Sequence, residues 1–299
     1  MRMLEDLRRP IQSYYACFSF TQLPMLPILL IFSLSVGVHD HGFMTNPPAR
    51  NKAAHPDNYY CPQCGNSVGA VGRIHAKGAP FPDNHDAEGT HGLCGDPWEG
   101  GKGDLLPLNQ QTFMKEGPVV ATYSRGQTVE IDMHLTVHHW GHFEFRICEG
   151  GLSGEKYSTQ KAGQDCLNKN LLVRADPKTR TECQNAKTID ASNYDCQPLD
   201  AAHPERWYLP PQSYGTDGMN YKMEFKLPDN LTCNPCTMQW NWITGNSCLV
   251  EGYKEYFAKF KKEYPSLDPS WDQSNSILPS CDLTGGGEQF WNCADVTIQ

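Results

Sequence analysis

The sequence has no surplus of positive charge: 25 Lys and Arg stand against 34 Asp and Glu, a formal net charge of −9. That excludes nucleic-acid binding by bulk charge and disfavours strongly acidic polysaccharides as partners. Long apolar runs are scarce. The main one, residues 23–36 (LPMLPILLIFSLSV), is broken by Pro24 and Pro27. It is shorter than the roughly 18–20 apolar residues a spanning helix needs. No second run follows, and the polar ending CADVTIQ gives no anchor tail, so neither a membrane span nor lipid attachment is expected after signal removal. Internal repeats and low-complexity tracts are absent. With 39% hydrophobic and 20% charged residues, the chain is expected to be globular.

Cysteine, by contrast, is plentiful. Of 13 Cys, Cys17 lies in the N-terminal segment, and the rest are Cys61, Cys64, Cys94, Cys148, Cys166, Cys183, Cys196, Cys233, Cys236, Cys248, Cys281 and Cys293. Cys61-Pro-Gln-Cys64 and Cys233-Asn-Pro-Cys236 have the spacing of a zinc site. The apolar run behind Arg8 and Arg9 reads instead as a secretory signal, and in an oxidising compartment an even dozen reads as a disulfide framework. Each cysteine is then expected to pair with a partner elsewhere, with connectivity open. Residues 1–40 form the expected signal, with Met25 an alternative start. The product is expected to be a secreted, extracellular monomer, with Asn230-Leu231-Thr232 a glycosylation sequon.

Three cleavage points give different chemistry. The small-residue rule favours a cut after Gly37, leaving Val38 first. A cut after Val38 leaves His39-Asp40-His41, an amine with histidine at position three, which can bind Cu(II) through backbone nitrogens. A cut after Asp40 leaves His41 first.

The body of the chain carries strand periodicity. Val129, Ile131, Met133, Leu135 and Val137 alternate with polar residues. Phe143, Phe145 and Ile147 do the same, as do Tyr221, Met223, Phe225 and Leu227, and Met238, Trp240 and Trp242. Separated by Gly-, Pro- and Asn-rich turns, they predict an all-β, immunoglobulin/fibronectin-like antiparallel β-sandwich with long disulfide-stapled loops and one or more short helices. Tyr253, Phe257, Phe260 and Tyr264 have helical spacing and predict a helix covering the sandwich edge. The stretches 149–217 and 249–289 read as long connections.

Candidate chemistry centres on histidine. His134, His138, His139 and His142 fall within nine residues. Strand parity puts His134 and His138 on the outward face, and His139 on the inward row at the strand end. A free N-terminal His offers its amine and imidazole Nδ1 to one cation, and a second imidazole gives three nitrogen donors, a planar set that suits Cu(II) better than Zn(II).

Several ordered segments then coincide: HGFMTNPPARN from His41, CGDPW at 94–98, LTVHHWGHFEFRIC at 135–148, KLPDNLTCNPCTMQWNWITGN at 226–246 and FWNCADVTI at 290–298. In this order the chain resembles the lytic polysaccharide monooxygenases, specifically the arthropod-type group, auxiliary activity family fifteen. The resemblance implies a single copper monooxygenase domain over 41–299, with insertions near 149–217 and 249–289. It implies one mononuclear copper held by His41 (amine and Nδ1) and His139, with Phe290 at the axial aromatic position and Val137 shaping that pocket. It further implies an external electron donor, hydrogen peroxide or dioxygen as co-substrate, and oxidative cleavage at C1 or C4 of an insoluble polysaccharide, chitin or cellulose. Trp140, Tyr59 and Tyr60 are the candidates for stacking on that substrate. Two other readings remain: a non-catalytic carbohydrate-binding protein if Val38 is first, and a copper-handling protein if His39 is.

Overall fold

The computed structural model describes residues 42–53, 67–68, 92–96, 108–187, 189, 193–210, 219–246, 248–260, 280–281 and 289–299, all within the compact unit Val38–Gln299. Among them two sheets face each other. The first has the order β1 (Phe43–Asn46), β4 (Thr128–Leu135), β8 (Met219–Lys226), β6 (Val173–Arg174). The second runs β2 (Ser67–Val68), β10 (Gln289–Ile298), β9 (Cys233–Ile243), β5 (His142–Cys148), β7 (Trp207–Tyr208), with β3 (Ala121–Tyr123) parallel to the far end of β10. The sandwich is the predicted fold.

Alternation explains the first sheet. Val129, Ile131, Met133 and Leu135 point inward and are buried, opposite Phe225, Met223 and Tyr221 of β8, while Glu130 and Lys222 remain on the wet face. Each such apolar side chain contributes about 1.5–3 kcal/mol by leaving water. They meet Phe143, Phe145, Met238, Trp240, Trp242 and Phe290 from the second sheet in one continuous core.

The second sheet differs from simple alternation. Every residue of β5 is buried, because its other face is covered as well. Helix α2 (Gln160–Asn168), capped by Thr159, packs on β5 and is tied to it by Cys148–Cys166. Cys94–Cys293 holds residues 92–96 against β10. The polar residues beneath are paired: Arg146 Nη2 donates to Glu144 at 2.6 Å and Gln239 Nε2 to the Leu93 carbonyl at 2.7 Å. Buried polar groups are tolerable only with such partners.

Three more disulfides are described: Cys183–Cys196, Cys233–Cys236 and Cys248–Cys281. Cys233–Cys236 corrects the expectation that each cysteine of a CxxC pair finds a distant partner; here the two close on one another at the start of β9. Cys61 and Cys64 lie outside the described residues. Helix α4 (Tyr253–Phe260) buries Tyr253, Tyr256 and Phe257 against Tyr208 of the edge strand β7, the edge-covering role expected of it, while Tyr264 lies outside the described residues. Short helices α1 (Arg50–Ala53) and α3 (Thr181–Gln184) complete the set, and no described helix is long and apolar enough to cross a membrane.

Candidate metal centre

Strand β4 ends at Leu135, and the chain then turns sharply toward β5. Two consecutive left-handed residues make the turn, Trp140 at φ 53° and Gly141 at φ 80°. Glycine is required at 141, since a Cβ there would overlap the Ile243 carbonyl oxygen. Neighbouring elements grip the loop by its backbone. Gly245 N–H donates to the His139 carbonyl at 2.8 Å, Leu209 N–H to the Gly141 carbonyl at 2.9 Å, and the Trp242 indole N–H to the Trp140 carbonyl at 2.7 Å.

This geometry sorts the four histidines. His134 lies on the outer face of β4 with Nδ1 2.9 Å from Asn220 Oδ1. His142, the first residue of β5, sits 3.0 Å from Glu144 within the buried ion cluster. His138 is fully buried, its Nδ1 accepting the Trp140 backbone N–H at 3.3 Å. That corrects the parity argument: the strand stops three residues before His138, so His138 does not share the outward face with His134. His139 is 3% exposed and lies nearly parallel to Trp242, ring centroids 5.9 Å apart. Burial pushes its pKa down to about 4, against the weaker opposing pull of the His138 carbonyl. Burial, with neighbouring His139 next, takes His138 to about 3, although the Pro210 carbonyl opposes this. Both rings are neutral near pH 7, the state in which an imidazole nitrogen can bind a metal.

The start of the described chain reaches the same end of the sandwich. In the antiparallel register Phe43 faces His134, and Gly42 packs so closely on Leu135 that a Cβ at 42 would lie 2.9 Å from the His134 carbonyl oxygen. His41, bonded to Gly42, lies outside the described residues. Behind β1, Arg50 anchors the segment. Its guanidinium donates to both carboxylate oxygens of Asp295, at 2.8 and 2.6 Å, and to the Phe113 and Leu152 carbonyls.

Phe290 is fully buried, 5.2 Å from the Trp242 ring that also carries His139. Its hydrocarbon ring offers no donor, so it can only fill space. Val137 is half-buried in the loop beyond β4. Trp140 is corrected: at 2% exposure it packs with Ile189, Tyr208, Ile243 and Leu249, which leaves it no face for stacking on a polysaccharide. Tyr59 and Tyr60 fall outside the described residues. Asn230 is exposed in the turn between β8 and β9. Two features escaped sequence reasoning: Trp242 as the platform shared by His139 and Phe290, and the Arg50–Asp295 anchor. Both lay within matching segments, and only the register of β9 with β10 reveals the first.

Among the described residues no group of three or more His, Cys, Asp or Glu could hold a metal. The neutral imidazole of His139 is one nitrogen donor of the kind that suits Cu(II).

The family described as lytic polysaccharide mono-oxygenase, cellulose-degrading, matches residues 41–296, and the chain belongs to it. This makes it a β-sandwich of a copper-dependent, polysaccharide-active class. Among solved structures it is similar to the lytic polysaccharide monooxygenase AA15 from Thermobia domestica in the Cu(I) state, at 22% identity and TM-score 0.47, covering 86% of this chain and 98% of that one. It is also similar to the cellulose-active lytic polysaccharide monooxygenase CelS2 in complex with copper, at 13% identity and TM-score 0.39, covering 86% and 98%. A third similarity is to a chitin-binding domain from Burkholderia pseudomallei, at 11% identity and TM-score 0.36, covering 87% and 99%. Comparison with curated proteins gives no match.

Proposed function

We propose that the mature protein is secreted, begins at His41, and binds one copper ion through the amine and Nδ1 of His41 and the side chain of His139, to cleave chitin or cellulose oxidatively at C1 or C4. The observation that carries this is the meeting of Gly42 with the end of β4, beside the loop that holds a neutral His139 against Trp242. When bound, copper would supply redox chemistry, drawing electrons from an external reductant and using hydrogen peroxide or dioxygen as oxidant.

The chain's own part is positioning and exclusion. The backbone bonds at His139, Trp140 and Gly141 hold the loop, and the Trp242 face packs against the His139 imidazole, before any ligand arrives. Such preorganisation concentrates binding free energy on one geometry. Buried Phe290 and Trp242 keep water away from the inner side of His139 and add no competing ligand. A glycosidase pair of carboxylates is unnecessary to this reading.

The test begins with the mass of the N-terminal peptide of protein secreted by a eukaryotic host, followed by copper titration and product analysis on chitin and cellulose with a reductant. A peptide starting at His41, tight copper binding and oxidised oligosaccharides are expected, all but the first lost in His139→Ala. A peptide starting at Val38 or His39 would sink the proposal in favour of a binding or copper-handling protein.

A further inference from the structure

The loop that carries His139 contains a second buried imidazole that the proposed copper site does not use. His138 is fully buried between Trp140 and Tyr221, with ring centroids 6.3 and 6.4 Å away. Its Nδ1 accepts the backbone N–H of Trp140, two residues ahead, at 3.3 Å. That bond spans His139. It has the pattern of an Asx turn, in which a side-chain acceptor at one position captures the amide two residues on and replaces a backbone turn bond. Here the captured amide belongs to Trp140, a bulky residue held at φ 53°, a conformation such side chains rarely adopt.

From this geometry we infer that His138 is a positioning residue for the copper centre: by accepting the Trp140 amide it holds the left-handed turn at 140–141 and so sets the direction of the His139 side chain. The inference rests on the reading of His139 as a copper ligand. Three further grips on the loop are carbonyls receiving bonds from outside, at His139, Trp140 and Gly141. The His138 bond is different in kind. It occupies the Trp140 N–H, and it originates within the loop itself, so it fixes the local curvature and not merely the loop's attachment. Accepting at Nδ1 requires the ring proton to be on Nε2.

Side-chain geometry supplies the discriminating variants. The Oδ1 of asparagine occupies the place of Nδ1 and can accept the same amide; glutamine puts its amide one bond farther out, and leucine has no acceptor. The experiment compares wild type with His138→Asn, His138→Gln, His138→Leu and His139→Ala, each secreted as the full chain. The readouts are the Cu(II) dissociation constant by competition with a chromophoric chelator, the Cu(II) electron paramagnetic resonance spectrum, and thermal unfolding of the metal-free protein. His138→Asn is expected to keep the wild-type spectrum and affinity. His138→Gln and His138→Leu are expected to weaken copper binding by about tenfold or more and to change the spectrum, as loss of a ligand's supporting contacts does. Wild-type affinity and spectrum in His138→Leu would overturn the inference. Should that variant not fold, the Asn and Gln pair decides: equal copper behaviour in the two overturns it, and a gap between them sustains it. Undiminished copper binding in His139→Ala is a separate result, which removes the ligand reading and the inference with it.

Discussion

Replacing Asp295 by asparagine keeps the volume of a buried side chain and removes its charge. In the native chain Oδ1 accepts from Arg50 Nη2 at 2.6 Å and Thr237 Oγ1 at 2.7 Å, while Oδ2 accepts from Arg50 Nε at 2.8 Å and the Gly117 amide at 2.7 Å. Asparagine has one acceptor oxygen, so two of the four donors would face an NH2 group. Arg50, 6% exposed, would lose the carboxylate it bonds and keep only the through-space attraction of Asp96. Breaking a buried pair from one side costs about 3–5 kcal/mol. At about 2–4 °C per kcal/mol for a domain of this size, the melting temperature should fall by roughly 6–20 °C. Calorimetry of Asp295→Asn, Arg50→Met and the double variant provides the measurement. The double variant should be less damaged than the sum of the singles, because it leaves no orphaned charge. A fall below about 2 °C in Asp295→Asn, or strict additivity in the double variant, would refute the reasoning.

Other outcomes follow from the same structure. In the metal-free protein, burial takes His138 to about 3 and His139 to about 4, whereas the unfolded chain titrates near 6.5. The unfolded state therefore binds more protons between those values; the stability these rings contribute is complete above pH 6.5 and is lost as pH falls, by about 1.4 kcal/mol per pH unit for each. Denaturant melts from pH 7.5 to 4.5 should show that slope, and His138→Asn should flatten it by about half; an unchanged slope would contradict the assignment. Gly42→Ala forces a methyl against the His134 carbonyl at 2.9 Å, and the displaced segment before β1 should weaken copper binding by about tenfold; isothermal titration checks this, and full affinity would count against the proposed site. Asn230 follows the end of β8 that pairs with Thr128, whereas the other end of β8 pairs with Leu135 near the histidine loop. An N-glycan there, about 20 Å away along the strands, should be removed by glycosidase from wild type and missing from Asn230→Gln, with copper affinity equal in both.

Much of the sandwich could be read from period-two alternation, because β4 and β8 have one buried and one wet face, and the pattern of Val129 to Leu135 maps directly onto burial. The same logic failed one loop later. Parity carries only as far as the strand, and β4 ends at Leu135, so extrapolation to His138 assumed hydrogen bonds the chain no longer makes. Nothing in residue types announces the left-handed Trp140, although the glycine after it hinted at a turn. The wholly buried β5 was equally illegible: its second face is covered by α2 and by residues 92–96, and the latter are brought there by a disulfide between cysteines 199 residues apart. Trp140 looked available for stacking because its neighbour binds copper in the family resemblance, yet its burial depends on Ile189, Tyr208 and Leu249, distant in sequence.

The two halves of the proposed site are held by forces of different range, and that separates their failures. His139 is fixed by a local cage of backbone bonds and by the face of Trp242, contacts confined to one end of the sandwich. The segment entering β1 is fixed by the β1–β4 ladder and, seven residues beyond Phe43, by the buried Arg50–Asp295 pair, which joins it to the last strand. Loosening the first should alter copper geometry at nearly constant stability, as in His138→Leu. Loosening the second should lower stability and copper affinity together, as in Asp295→Asn, because the same ion pair that closes the sandwich also tethers the segment bearing His41. A plot of copper affinity against melting temperature for the two sets of variants would therefore give two lines. A single line would mean that the loop and the anchor are one cooperative unit, and that the cage around His139 has no independent say in where its ring points.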